Sequence, residues 1–134
     1  MVYTDSHVIG SKRDGAEILN DLIAKDIEKS GIKNGIAVIQ SCDPTVGIVR
    51  TAVKDTVLCD VISEIRKIVP ARINFKNEES PEDAAGHIKA AIFGQSLTLA
   101  LKDGALLDME GMGVFMLDYD GPQNRKIDVL IMGE

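Results

Sequence analysis

The stretch EDAAGHIKAAIFG, residues 82–94, sets His87, one of two histidines in the chain, among alanines. At helical spacing His87 shares a face with Ala84 and Ala91, which turns its ring toward the sheet that the helix covers. Three roles are open to this imidazole: metal ligand, general acid/base, or core histidine hydrogen-bonded to a carbonyl. No second histidine stands three or four residues away, so the local sequence holds no metal motif and favours the core role. His7 reads as a strand residue facing solvent.

In LDYDG, Asp118 and Asp120 are two apart, a spacing that brings both carboxylates out on one face of a strand. Paired acids can bind a divalent cation or divide acid and base duties, and they can equally be solvated rim residues near a turn. Asp43 lies just before Pro44, in a break between two apolar runs where loops often carry sites. An ordinary Asp-Pro turn accounts for it as well. Arg125 has the forked guanidinium that grips phosphate or carboxylate, or it stands alone on the surface. Cys42 and Cys59 match neither a CxxC pair nor a zinc ribbon and read as reduced thiols. The carboxylate beside Cys42 raises rather than lowers a thiol pKa, which argues against a reactive thiol.

These residues need elements to hold them. Residues 2–9 mix β-branched and polar types and predict a first strand. Asp14 and Glu17 imitate a capping box ahead of Ile18, Leu19, Leu22, Ile23 and Ile27, which predicts a helix over 15–30 stopped by Gly31. After the Asn34-Gly35 turn, IAVIQS is a buried strand, CDPT a sharp break and VGIVRT a second strand. Leu58, Val61, Ile62, Ile65, Ile68 and Val69 recur at helical spacing before Pro70, giving a helix over 54–68. ARINFKNEE is a loop with room for one short strand. Ser80-Pro81 supplies an N-cap and a first-turn proline for a helix over 81–93, closed by Gly94. LTLAL, the Asp103-Gly104 turn, ALL, GVFMLDY and KIDVLIM then follow as strands. The order predicts one α+β domain over 1–134, with helices packed on one face of a largely antiparallel sheet.

The formal charge of −6 and scattered basic residues disfavour nucleic-acid binding. No run approaches the roughly 18 uncharged apolar residues of a membrane span. The N-terminal MVYTDSHVIGSKRD lacks a secretory pattern, so a soluble, cytoplasmic protein is expected.

GHIKAAIFGQSLTLALKDGALL and GVFMLDYDGPQNRKIDVLIMG together resemble the C-terminal half of the YjbQ-like family, described as secondary thiamine-phosphate synthase enzymes. The resemblance extends upstream through SGIKNG, IAVIQS and the helix ending in IVP. It implies an α+β fold whose mixed sheet curls into a sandwich or barrel, a homotrimer with pockets between subunits, and a metal site using several histidines. His87 matches the family's helix histidine, and Asp118 matches its terminal acid in type.

The chain departs from that pattern elsewhere. Asp43-Pro44-Thr45 stands where the family has His-Thr-Thr, and Thr51-Ala52 where it has Asn-Glu. A second histidine is replaced near Lys76 or Asn77, Trp-Gln becomes Gly111-Met112, Asn becomes Asp83, and Arg125 takes the part of an arginine expected at Gln123. One imidazole with Asp43, Asp83 and Asp118 is a hard, oxygen-rich set, so Mg²⁺ or Mn²⁺ is expected to gain on Zn²⁺. The resemblance therefore implies His87 and Asp118 as catalytic groups, with Arg125, Thr45 and Asp120 on a small phosphorylated ligand. It implies His87, Asp43 and Asp83 for the metal. The competing expectation is a non-catalytic homotrimer that keeps the fold and binds a small ligand.

Overall fold

The computed structural model describes residues 1–12, 15–77 and 80–134. Among them, strands β1 (Val2–Gly10), β8 (Asn124–Gly133), β3 (Gly35–Ser41), β5 (Ser96–Lys102) and β6 (Ala105–Leu106) form one curled sheet in that order. Strands β2 (Ala16–Ile18), β7 (Met112–Asp118) and β4 (Val46–Ala52) form a second. Helices α1 (Asn20–Ser30), α2 (Asp55–Ile68) and α3 (Pro81–Phe93) complete an α+β fold. Each described pairing is antiparallel, so the parallel component of the expected mixed sheet is not seen among the described residues.

The two sheets face each other across one apolar interior. Ala37 and Ile39 of β3 and Ile127, Val129 and Ile131 of β8 meet Val46 and Ile48 of β4 and Val114 and Met116 of β7. Helix α1 closes this interior with Leu19 just ahead of it, then Ile23 and Ile27. On the opposite face of the second sheet, Phe115 and Leu117 pack against Ile65, Leu58, Val61 and Ile62 of α2 and Phe93 of α3. Strand β7 is thus buried on both faces, which is why GVFMLDY runs apolar instead of alternating. The helices are accordingly divided between two places, and do not share one sheet face.

Local signals account for most element ends. Ser80 Oγ accepts from Asp83 N at 3.0 Å with Pro81 in the first turn of α3. Asp103 and Gly104 both take positive φ, +52° and +80°, as a two-residue hairpin turn between β5 and β6 requires. Gly31 ends α1 in the left-handed region. The expected start of that helix is corrected. Ala16, Glu17 and Ile18 pair with Leu117, Met116 and Phe115 as β2, and α1 begins only at Asn20. Glu17 therefore serves a strand, while Asp14 lies outside the described residues. A tertiary clamp anchors the helix start: the Asn20 side chain accepts from Val114 N at 2.8 Å and donates to Met112 O at 3.1 Å. Residues 70–77 hold no strand.

Met116 sits in the interior between both sheets and is wholly buried. Met116→Ala should lower unfolding free energy by about 2–5 kcal/mol, read from the urea midpoint at unchanged slope.

Candidate functional site

The sheet interior ends in a polar cluster. Arg125, the second residue of β8, faces inward like Ile127 and Val129 and is 3% exposed. Asp118, the last residue of β7, faces inward like Met116 and is 1% exposed. Arg125 Nε donates to Asp118 Oδ2 and Nη2 to Asp118 Oδ1, both at 2.7 Å, a bidentate pair. Nη1 donates to Asp43 Oδ2 at 2.5 Å and Nη2 also to the Asp120 carbonyl at 2.9 Å. Ser11 Oγ, just beyond β1, donates to Asp118 Oδ2.

Asp43 caps its own loop. Its Oδ1 accepts from Thr45 N at 3.0 Å and from Thr45 Oγ1 at 2.8 Å, so the buried threonine is spent inside the protein. Burial pushes the Asp43 carboxyl up, and the Thr45 and Arg125 donors outweigh it, leaving the group below its ordinary value. Asp118 behaves likewise: burial raises it, and hydrogen bonds from Arg125 and Ser11 bring it below the usual range.

The chain leaves β7 at Asp118 and turns, so the expected shared strand face of Asp118 and Asp120 does not form. Asp120 N donates to Asp118 Oδ1 at 3.0 Å, and its carboxyl is presented instead to Asp83 in the first turn of α3. Burial and then the neighbouring Asp83 carboxylate raise the Asp120 carboxyl above its ordinary value. Asp83 Oδ2 lies 3.5 Å from His87 Nε2 and accepts from Asn77 Nδ2 at 3.1 Å. The His87 side chain is 42% exposed on the flank of α3, which corrects its expected place over the sheet; the buried face is Ala84, Ala85, Gly86, Lys89 and Ala90.

Small residues set that helix close to the sheet. A Cβ added to Gly86 would lie 3.3 Å from Thr45 Cβ and 3.4 Å from Tyr119 Cβ. Beside this contact, a cleft of about 290 Å³ opens between α2, α3 and the β7–β8 turn. Arg66, Glu82, Lys89, Tyr119 and Asp120 contribute its polar lining. Lys89 Nζ lies 5.7 Å from the Tyr119 ring centroid, and burial lifts the Tyr119 hydroxyl pKa to about 12.

The expected site residues therefore separate into two groups. Asp43, Thr45, Asp118 and Arg125 interlock, whereas Asp83, His87 and Asp120 meet on the helix flank, and the Asp120 backbone joins the groups. Arg66, Lys89 and Tyr119 lacked any local motif, because α2 and α3 reach the cleft from distant parts of the sequence. His7 is also corrected: it faces α1, with Nε2 2.6 Å from Asp26 Oδ2. Both cysteines are free and exposed. Burial and a hydrogen bond to Asp128, rather than Asp43, raise the Cys42 thiol pKa. No helix among the described residues is long and apolar enough to cross a membrane.

Residues 6–134 match the family described as UPF0047 protein YjbQ-like. The chain belongs to that family. It is 34% identical over 125 residues to a UPF0047 protein of Methanocaldococcus jannaschii, covering 92% of this chain and 89% of the relative. Identity to the UPF0047 protein YugU of Bacillus subtilis is 24%, over 92% of this chain and 93% of that one. The crystal structure of a YbjQ-like protein of unknown function from Sulfolobus solfataricus P2 superposes with a TM-score of 0.94 at 28% identity, covering 100% of this chain and 99% of that chain.

Asp43 and Asp118 have depressed carboxyl pKa values, so the folded protein binds fewer protons there than the unfolded chain. Their stabilisation is complete above the unfolded carboxyl range, about pH 4, and is lost as pH falls through the folded values. The urea midpoint should drop across that acid window, and drop less in Asp118→Asn, which starts from a lower neutral plateau.

Proposed function

We propose that this family member is an enzyme of thiamine-phosphate synthase type, joining or cleaving a bond at a small phosphorylated substrate. The observation that carries the reading is the continuous path from His87 through Asp83 to the raised carboxyl of Asp120, which borders the cleft holding Arg66 and Lys89. The Asp120 carboxyl at the cleft edge and the His87 imidazole beside Asp83 are the groups placed to exchange protons with a bound substrate. Arg66 and Lys89 border the cleft together with Glu82 and Asp120 and are the groups that would meet phosphate oxygens there. Arg125, Asp118, Asp43 and Thr45 hold this arrangement from beneath.

A resident metal on His87, Asp43 and Asp83 fits the donors poorly. Asp43 bonds to Thr45 and Arg125, and these three side chains do not gather within the 4.8 Å spread that Asp5, His7 and Asp26 satisfy.

The proposed working unit is a homotrimer, with His87 facing a pocket between subunits. Across the outer face of the larger sheet, Val2, Met132, Ile36 and Ala100 align in register, as do Leu130 and Val38 in the next row. Val2 and Met132 are exposed large apolar residues in this band, a surface that suits a second copy. Sedimentation should give three chains per particle, and Met132→Lys should shift the particle toward a single chain.

Purified protein supplied with phosphorylated thiamine precursors should turn over, and His87→Ala and Asp120→Asn should each lower kcat about 10²–10⁴-fold. Absence of wild-type turnover would sink the enzyme reading and favour a non-catalytic trimer that binds a small ligand.

A further inference from the structure

A second imidazole lies away from the cleft. Strand β1 alternates, and its inward positions are Tyr3, Asp5, His7 and Ile9. Asp5 and His7 are therefore neighbours on one strand face, fixed by a ladder to β8 that pairs Asp5 with Val129 and His7 with Ile127. Helix α1 crosses this face and brings Asp26, whose side chain is 1% exposed. His7 Nε2 lies 2.6 Å from Asp26 Oδ2 and 3.9 Å from Asp5 Oδ2.

We infer that Asp5, His7 and Asp26 form a divalent-metal site that takes Zn²⁺, separate from the His87 cluster. One donor atom from each residue lies within 4.8 Å of the other two, the one such group of three among the described residues. Tetrahedral zinc, with ligand bonds of about 2.0–2.2 Å, separates its donors by about 3.3 Å. The two distances from His7 Nε2 bracket that value, so Asp26 moving outward by about 0.7 Å and Asp5 inward by about 0.6 Å would meet both.

Burial and hydrogen bonding also suit a cation here. One imidazole with two carboxylates is a mixed set that zinc accepts alongside manganese, and the tetrahedral spacing of the donors, not their softness, selects zinc. Asp26 is almost wholly removed from water, where His7 and the Tyr3 hydroxyl compensate it in the metal-free protein and a bound cation would take over the larger share. Its second oxygen, Oδ1, accepts from the Tyr3 hydroxyl at 3.3 Å, the outer hydrogen bond that orients a ligating carboxylate. Asp5 is 43% exposed and His7 21%, which leaves the remaining coordination position open to water on the solvent side. Any Nε2 proton leaves to solvent as the lone pair turns to the metal. Spanning strand and helix, bound zinc ties β1 to α1.

Chelator-stripped full-length protein titrated calorimetrically with Zn²⁺ alone should bind one equivalent at this site and melt at a higher temperature in its presence. His7→Ala should abolish that equivalent and the shift in melting temperature. Asp5→Asn removes a half-exposed ligand without touching the buried pair, and should weaken binding at least tenfold while the metal-free melting temperature stays unchanged. His87→Ala should leave both readouts intact. Absence of stoichiometric zinc on the wild type, indifference of binding to both His7→Ala and Asp5→Asn, or its loss in His87→Ala would overturn the assignment.

Discussion

The buried Arg125 guanidinium at the end of the sheet interior constrains everything around it. A cation taken out of water loses several kcal/mol of hydration, and it is tolerated only where carboxylates and carbonyls replace that water with good geometry. Asp118, Asp43 and the Asp120 carbonyl do so together, with Ser11 donating to the same Asp118 oxygen, Oδ2, that Arg125 Nε reaches. Four chain segments are thereby tied at one point: the exit of β1, the β3–β4 loop, the end of β7 and the start of β8. Because both Asp120 backbone groups are used in this knot, its side chain has a fixed direction, outward to Asp83.

Strand β7 then distributes chemistry to two sides. Its period of two sends Met116 and Asp118 into the interior and Leu117 and Tyr119 toward the helices. Tyr119 lies against Gly47 and Gly86, where added Cβ atoms would crowd its ring or its Cβ. The glycine and the alanines of α3 let that helix settle on β4, which swings Lys89 over Tyr119 and leaves His87 on the flank. A larger residue at 86 would lift the helix and separate Asp83 from Asp120.

The chain carries net negative charge, yet its cleft concentrates Arg66 and Lys89 near Glu82 and Asp120. Local arrangement, not overall charge, decides what such a cleft attracts. Both histidines of the chain stand beside aspartates, but in different surroundings. His87 is exposed beside Asp83, which also neighbours the Asp120 carboxyl, while His7 is held against a buried carboxylate between a strand and a helix.

Local physics made much of the fold legible. The Ser80-Pro81 cap, the Asp103-Gly104 turn, the periodicity of α2 and the apolar run of β7 act within a few residues, so the sequence by itself determined those elements, the α+β class and the likeness to the family. It also singled out Asp43, Asp118 and Arg125, though not that they bond to one another. Residues 16–18 show where local reading stops: an apolar pattern compatible with a helix pairs as β2 because β7 offers an open edge. His7 took its place only when α1 crossed β1. Which carboxylate meets which cation was decided by tertiary structure alone, because these pairs lie far apart along the chain and their energies depend on burial that no local pattern records.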